Sequence, residues 1–297
     1  MRIAITGASG FLGRALSAHL QAAGHHVLPV RRTRQGEGPR WDPADGWIDA
    51  AAFEGLDAVV HLAGEPIGGR RWNESHKARV LDSRVRGTRL LAEALAKLEH
   101  KPSVLVSGSA IGYYGHRGDE ILTEDSTPGQ GFLAEVVVAW EASARPAADA
   151  GIRVVNSRTG LVLGRGGGIL RPMLIPFRLG LGGRLGSGRQ WFSWIALPDW
   201  VAAISFVIER DDLQGPVNVC APEAVTNAEL TATLGRVLRR PAVMQVPRFA
   251  LEIALGAEMA RETLLADQRV EPAKLLAAGF TFAYPRLEEA LREMLQR

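Results

Sequence analysis

Three glycines near the start of the chain have the spacing of a dinucleotide-binding loop. Residues 6–13 read TGASGFLG, directly after a short apolar run and directly before a helical pattern. Glycine permits the sharp turn, the close approach of a pyrophosphate to the backbone and the packing of the helix on the strand. Free N–H groups at the helix start then bind the phosphates. The residues that this pattern predicts to contact a dinucleotide are Gly7, Ser9, Gly10, Phe11, Leu12 and Gly13.

Two adjacent arginines bear on which dinucleotide is bound. An NAD site usually has Asp or Glu at the end of the second strand, where the carboxylate accepts hydrogen bonds from the ribose 2′-OH. This chain has Arg31 and Arg32 at that place. A guanidinium binds a 2′-phosphate through charge-assisted, often bidentate hydrogen bonds. We therefore predict NADP as the cofactor; the alternative is that both arginines form only a solvated strand end.

The elements that position these residues alternate along the chain. Short β-rich apolar runs and helix-period segments follow one another through the first two hundred residues, as in stacked βαβ units. We predict an α/β fold, a Rossmann doubly wound parallel sheet with a smaller C-terminal α/β lobe. The predicted strands are 3–5, 27–30, 57–63, 103–107 and 152–157, and the predicted helices are 11–23, 75–98 and 133–150.

A change of texture after Leu163 marks the predicted domain boundary. Glycine clusters at 164–168 and 180–183 suit mobile loops around a second lobe. We predict an NADP-binding Rossmann domain over 1–163, with 190–220 returning to it, and a smaller substrate-side lobe over 164–297. In that lobe, Thr226 and Glu229 have the spacing of a capping box, which predicts a helix that runs to about Leu238.

Composition narrows the class of protein and its partners. The 297 residues are 46% hydrophobic and 23% charged, as in a globular protein with a sizeable core. The 35 basic and 32 acidic residues form no long run of one sign, so we expect no nucleic-acid partner. The single cysteine, Cys220, excludes an internal disulfide and a Cys-based metal site. We expect a soluble, cytoplasmic protein without a signal peptide or membrane span, which acts on a small molecule.

Several further segments resemble one enzyme family in the same order along the chain. Together with the glycine loop they resemble the extended short-chain dehydrogenase/reductase family. More narrowly, they are similar to its atypical epimerase-like branch, the nucleoside-diphosphate-sugar epimerase type. The segments are DAVVHLAG at 57–64, SGSAIGYYG at 107–115, SRTGLVLG at 157–164, WFSW at 191–194 and GFTFAYP at 279–285.

The resemblance implies further contacts with the cofactor. The turn formed by Leu62, Ala63 and Gly64 is expected to contact the ribose or phosphate side of the cofactor. Ser107 is expected beside the nicotinamide, and Ser109 occupies the active-site Ser/Thr position of the family. The alternative is that these stretches are only packed strand ends.

The proton-transfer pair of the family is missing. In the family, a Tyr moves the proton and a Lys four residues later lowers its pKa. The chain has four lysines, at positions 77, 97, 101 and 274, and none of them has a tyrosine four residues before it. Aligning Glu141 with the glutamate that usually follows the pair puts Leu133 and Val137 in the Tyr and Lys positions. Neither side chain can carry a proton. Hydride exchange at a carbinol carbon, however, needs a group that gives or takes the hydroxyl proton.

Other residues are candidates for this role. Tyr113 and Tyr114 follow Ser109 closely, and Glu65 lies just past the strand-end turn. Each has a purely structural alternative, because a tyrosine can pack with a satisfied hydroxyl and a glutamate can cap a turn. His61, inside a predicted buried strand, is more consistent with a core histidine.

An aromatic and cationic group of residues could line a substrate pocket for a planar or anionic ligand, or could belong to the core. The residues of the group are Trp72, Trp191, Phe192, Trp194, Arg70, Arg71 and Arg189.

Two functions follow from the sequence. The first is an NADP-dependent oxidoreductase or epimerase with an atypical active site, and the second is a non-catalytic NADP(H)-binding regulator or sensor. A homodimer through the two long helices is possible.

Overall fold

A computed structural model describes residues 1–296. In that range the chain forms seventeen strands and eleven α-helices, and none of these helices has the length and apolar character needed to cross a membrane. The strands are β1 (Arg2–Thr6), β2 (His26–Arg32), β3 (Arg40–Asp42), β4 (Trp47–Ile48), β5 (Ala58–His61), β6 (Val104–Ala110), β7 (Ile121–Leu122), β8 (Arg153–Thr159), β9 (Leu161–Gly164), β10 (Gly167–Gly168), β11 (Gly183–Leu185), β12 (Trp191–Phe192), β13 (Trp194–Ala196), β14 (Gly215–Val219), β15 (Val225–Thr226), β16 (Met244–Val246) and β17 (Arg269–Val270). The helices are α1 (Phe11–Ala22), α2 (Glu74–Ala96), α3 (Phe132–Ser143), α4 (Arg145–Asp149), α5 (Leu170–Arg178), α6 (Leu197–Glu209), α7 (Asn227–Leu238), α8 (Arg248–Leu255), α9 (Ala257–Glu262), α10 (Ala273–Ala277) and α11 (Leu287–Gln296).

Eight strands form the main sheet in the order β14-β8-β6-β5-β1-β2-β3-β4. Every neighbouring pair is parallel except β3 with β4. A parallel sheet is covered on both faces, so its central strands are apolar throughout. Ile3 and Ile5 of β1 accordingly pack with α1 and α6, whereas Val59 and Leu105 pack with α2 and α4 on the other face. The predicted Rossmann fold class is confirmed.

The predicted helix 133–150 is divided in two. The structure has α3 and α4 separated at Ala144, and Pro146 lies in the first turn of α4. Proline lacks the N–H that a continuous helix would use and disfavours the helical conformation of the preceding residue, so one unbroken helix is not formed. The other predicted helices, 11–23 and 75–98, differ from α1 and α2 by one or two residues at an end.

The C-terminal part of the chain both builds a second lobe and completes the main sheet. The second lobe has its own apolar core, in which Leu230 and Leu234 of α7 pack with Leu287 and Leu291 of α11. The capping box predicted at the start of α7 is present. The Thr226 hydroxyl oxygen accepts the N–H of Glu229 at 3.2 Å, and the Glu229 carboxylate accepts the N–H of Thr226 at 2.7 Å.

Several segments after residue 164 pack with the main sheet. In the segment 190–220, α6 packs on α1 and β14 pairs with β8. Leu275 and Phe282 also join the apolar core of the main sheet. The glycine-rich segment 164–168, expected in a mobile loop, lies in the antiparallel pair β9–β10. This pair packs closely on Phe11: a Cβ added to Gly167 would lie only 2.2 Å from the Phe11 ring.

His61 is a core histidine, as predicted. Its side chain at the end of β5 is fully buried, hydrogen-bonded to the Thr6 hydroxyl at 2.7 Å and packed edge-on against Trp41. Burial lowers the pKa of the imidazole from 6.5 to about 4, with a smaller contribution from the nearby charge of Arg84. His61 is therefore neutral in the folded protein at neutral pH.

We expect His61 to make the protein less stable in mild acid. Below pH 6.5 the unfolded chain takes up a proton that the folded chain accepts only near pH 4. The free energy of unfolding should therefore fall by up to about 3 kcal/mol as the pH drops through this interval. Denaturant unfolding of His61→Asn should lack this part of the pH dependence. The exposed-histidine variant His19→Asn should keep it, and an unchanged slope in His61→Asn would contradict the assignment.

Candidate functional site

The glycine loop between β1 and α1 depends on close backbone contacts. Gly7 has a φ of +68°, a region that favours glycine, and the Gly10 N–H donates to the Gly7 carbonyl at 2.9 Å. A Cβ on Gly13 would lie 2.2 Å from the same carbonyl. Substitution at Gly7 or Gly13 therefore requires the loop to open.

The start of α1 is available to an anion. Within residues 1–296 no side chain caps this helix, and Ser9 and Gly10 are exposed. The first N–H groups of an α-helix have no partner inside the helix, and the helix dipole adds positive charge at this end. The N–H groups of Phe11, Leu12 and Gly13 are therefore free of intrahelical partners, and the site fits a pyrophosphate.

The turn after β5 lies directly beside this loop. The N–H groups of Leu62 and Ala63 both donate to the Thr6 hydroxyl oxygen, at 3.1 and 3.2 Å. A Cβ on Gly7 would come within 2.9 Å of the Leu62 carbonyl carbon. Thr6, which the sequence did not single out, thus fixes the turn that carries Gly64. A hydroxyl residue at the last position of a buried strand was the only sequence signal.

Arg31 and Arg32 end β2, next to β1 and hence on the same edge of the sheet as the glycine loop. Both residues are exposed, and the Arg31 N–H donates to the Pro39 carbonyl at 3.0 Å. Neither guanidinium has a hydrogen-bonding or ionic partner in the described part of the chain. By contrast, the nearby Arg34 is paired with Asp45 at 2.9 Å. Two unpaired cations therefore stand where the sequence predicts a 2′-phosphate.

A cavity of about 560 Å³ lies past the carboxyl ends of β6 and β8, between the sheet and the second lobe. Its lining is predominantly apolar, and Arg84 and Glu262 are its only ionisable members among residues 1–296. A second cavity of about 280 Å³ adjoins it and is lined by His116, Arg248 and Arg261. The large apolar members of the first cavity are Ile67, Ile111, Leu133, Val136, Val137, Trp140, Leu161, Ile169, Met173, Phe177, Leu181, Leu185, Trp191, Phe192, Val246 and Leu264.

Helix α3 brings an apolar surface to this cavity. Leu133 and Val137, which the resemblance puts in the Tyr and Lys positions, both line it. The helix is held by Glu262 of α9, whose carboxylate accepts the N–H groups of Phe132 at 3.0 Å and Leu133 at 2.7 Å. The sequence did not indicate Glu262, because a cap supplied by a residue 129 positions away has no local pattern.

Ser109 and Tyr114 belong to a buried polar network beneath the cavity. The Ser109 hydroxyl donates to Glu141 at 2.6 Å, and Arg158 donates to both oxygens of that carboxylate at 2.8 and 2.9 Å. Arg158 also donates to the Tyr114 hydroxyl at 3.0 Å, which in turn donates to Asn218 at 2.6 Å. The network connects β6, α3, β8 and β14.

The network argues against Tyr114 as a proton carrier. Its side chain is fully buried, it is not part of the cavity lining, and its hydroxyl proton is given to Asn218. Burial raises the pKa of this phenol to about 12. These contacts fit the structural alternative, a packed tyrosine with a satisfied hydroxyl, and the catalytic role of Tyr114 stays a prediction. Ser109 is 5% exposed and is also outside the lining, next to Ala110, which is part of it.

The other two candidates also face away from the cavity. The ring of Tyr113 stacks under the Arg158 guanidinium, with 3.4 Å from the guanidinium carbon to the ring centre. The Glu65 carboxylate points to α2, 3.8 Å from Arg79 and 4.0 Å from His76. Neither residue contributes to the lining. The catalytic roles of Ser109, Tyr113 and Glu65 therefore stay predictions.

The aromatic and cationic group is divided by the fold. Trp191 and Phe192 line the cavity, whereas Trp194 is fully buried in the core of the second lobe and donates to the Glu223 carbonyl. Trp72 packs edge-on against Phe132. The three arginines of the group are exposed and outside the lining: Arg70, Arg71 and Arg189.

Comparison with known proteins gives matches over nearly the whole chain. Residues 3–220 match the NAD dependent epimerase/dehydratase family, and residues 246–294 match a domain of unknown function, DUF1731. The epimerase family protein Mb2239 of Mycobacterium bovis is 45% identical over 291 residues, 97% of this chain and 96% of that protein.

Solved structures agree with these matches. The human epimerase family protein SDR39U1, crystallised with NADPH, has a TM-score of 0.92 at 38% identity, with 100% of both chains covered. The nucleoside-diphosphate sugar epimerase from Corynebacterium glutamicum has a TM-score of 0.80 at 40% identity, covering 99% of this chain and 58% of that one. These matches confirm the resemblance to the atypical epimerase-like branch of the short-chain dehydrogenases/reductases. The chain therefore belongs to the NAD dependent epimerase/dehydratase family.

Proposed function

We propose that this protein binds NADP(H) across the carboxyl edge of its main sheet. The single observation that carries the proposal is the uncapped start of α1 beside two unpaired guanidinium groups, Arg31 and Arg32. The helix start binds the pyrophosphate and the arginines bind the 2′-phosphate. The human relative crystallised with NADPH, similar over its full length, supports the same cofactor.

The nicotinamide end of the cofactor faces the cavity of about 560 Å³. In this arrangement Leu62, Ala63 and Gly64 contact the ribose or phosphate side, and Ser107 lies beside the nicotinamide. When bound, NADPH supplies a hydride. The protein residues orient the cofactor and exclude water, since the lining is mainly apolar. We infer that the protein is an NADP(H)-dependent oxidoreductase or epimerase-like enzyme for a small molecule.

A second candidate is a non-catalytic NADP(H)-binding regulator or sensor. Leu133 and Val137 favour it, because they put two apolar side chains in the cavity where the family has its proton-transfer pair. In that case, cofactor binding would alter the relative populations of conformations that a partner distinguishes. A homodimer through α2 and α3 and a cytoplasmic location also remain proposals.

Replacing Arg31 with alanine should affect the two cofactors unequally. Loss of a charge-assisted contact with the 2′-phosphate weakens NADPH binding by about 10- to 100-fold, whereas NADH binding changes little. Calorimetric titration of both cofactors measures the two affinities. Arg145→Ala, on the remote helix α4 and 78% exposed, is the matched control. Equal losses for NADPH and NADH would show that Arg31 does not read the 2′-phosphate.

Isotope transfer distinguishes an enzyme from a sensor. We expect protein loaded with NADPH, deuterated at the transferable hydrogen, to pass the label to a component of a metabolite extract. Mass spectrometry of the extract detects the labelled product, and protein with Gly13→Val, which blocks the loop, serves as the control. An extract without any labelled product would favour the sensor.

A further inference from the structure

We propose that the hydride acceptor is an apolar, conjugated carbonyl compound of the quinone type, bound in the cavity of about 560 Å³ so that the oxygen that becomes negatively charged faces Arg84. The inference rests on the proposed NADP(H)-dependent function and names the substrate class for the same site. It depends on the lining of the cavity, on its lack of a proton donor and on the position of the guanidinium.

The cavity suits a flat apolar molecule. Leucine, isoleucine, methionine and phenylalanine side chains of α5 and the second lobe form one side, and Leu133 and Val137 form the other. Trp191 and Phe192 present aromatic groups on which a ring can pack. A nucleotide sugar would instead bring a pyrophosphate and several hydroxyls. In the described lining, Arg84 is the only cation that could balance such charge.

The hydroxyl groups in the lining all donate to main-chain oxygens. Thr159 donates to the Ser157 carbonyl at 3.1 Å, Ser193 to the Gln268 carbonyl at 2.6 Å and Thr263 to the Met259 carbonyl at 2.5 Å. A ligand would have to break one of these bonds to take a proton from the cavity wall. The lining therefore does not replace the missing tyrosine.

The acidic member of the lining is also committed. The two oxygens of Glu262 accept the N–H groups of Phe132 and Leu133 at the start of α3. Glu262 thus acts as a helix cap, and both of its oxygens are engaged by main-chain donors. A substrate that needs proton donation to a simple alkoxide is consequently a poor match for this site.

Arg84 supplies positive charge without being a ready source of protons. The residue is 8% exposed and packs over Trp140, with 5.0 Å from its guanidinium carbon to the ring centre. Its Nη1 donates to the carbonyls of Glu65 at 2.9 Å and Val80 at 3.1 Å. Within residues 1–296 the Nε and Nη2 groups have no acceptor, so they are open to a ligand oxygen. Burial lowers the pKa of Arg84 to about 10, and it stays charged at neutral pH.

A quinone accounts for this combination of groups. The transferable C–H bond of the nicotinamide breaks, and its hydrogen with the electron pair forms an O–H bond at one carbonyl oxygen of the quinone, which converts NADPH to NADP⁺. The ring becomes aromatic, and the other carbonyl oxygen, which faces Arg84, becomes a phenolate-like anion. Its proton affinity resembles that of a tyrosine phenolate, with a pKa of about 10, and is far lower than that of a simple alkoxide. Solvent can therefore supply the proton after release, and the product is the hydroquinone.

The first test compares acceptor classes with wild-type protein and NADPH in the absence of oxygen. We expect menadione to cause loss of NADPH absorbance. UDP-glucose and UDP-N-acetylglucosamine, whose hydroxyl carbons can only donate a hydride, should cause no gain of NADPH absorbance with NADP⁺-loaded protein. Menadione should also bind the NADP⁺-loaded protein in calorimetry, which is independent of turnover. Protein that binds NADPH but neither binds nor reduces menadione would overturn this inference alone. Protein that does not bind NADPH would overturn the proposed function as well.

The second test concerns Arg84. We expect Arg84→Gln to lower kcat for menadione by about 100-fold, as for loss of a preorganised donor to an oxyanion. Its affinity for NADPH should change by less than about threefold, which also shows that the variant folds. Arg84→Lys should recover part of kcat, and Arg89→Gln, an exposed site on the same helix, should leave it unchanged. An unchanged kcat in Arg84→Gln, or equal losses of kcat and NADPH affinity, would refute the role of Arg84.

Discussion

Backbone contact at the carboxyl end of β1 is the constraint on which the rest of the site depends. Gly13 approaches the Gly7 carbonyl more closely than any Cβ would allow, and Gly7 approaches Leu62 in the same way. These contacts let α1 start directly above the strand and bring the turn after β5 beside it. The Thr6 hydroxyl holds that turn by accepting two N–H groups. The uncapped helix start and the strand-end turn thus meet at one point through backbone packing and a single hydroxyl group.

The polar groups around the cavity stabilise the fold and are largely unavailable for chemistry. Arg158 and Glu141 form a bidentate, nearly buried ion pair that also holds Ser109 and Tyr114. Loss of one partner of such a pair strongly destabilises the fold, because the remaining charge is then buried without a counter-ion. Glu262 likewise holds α3 against the second lobe. The polar atoms of Arg158, Glu141 and Glu262 are parts of the framework.

This division of roles explains how a member of a dehydrogenase family can keep the cofactor loop and lose the proton-transfer pair. The dinucleotide site is built from backbone geometry, whereas the pair consists of two side chains on α3. Replacing them by Leu133 and Val137 leaves the helix and the loop intact. The result is a mainly apolar cavity whose positive charge comes from Arg84 on another helix. A site of this kind favours acceptors that stabilise their own negative charge.

The sequence alone determined the Rossmann class, the glycine loop, the α7 capping box and the burial of His61, because each depends on local spacing or strand periodicity. It also predicted Arg31 and Arg32 at an open strand end. It did not determine that helix 133–150 breaks, that Tyr114 is buried, or that Leu275 and Phe282 return to the main sheet. Those outcomes, like the cap from Glu262 and the exposure of Arg84 to the cavity, depend on contacts between distant segments. Only tertiary packing decides which polar atoms are satisfied and which face a ligand.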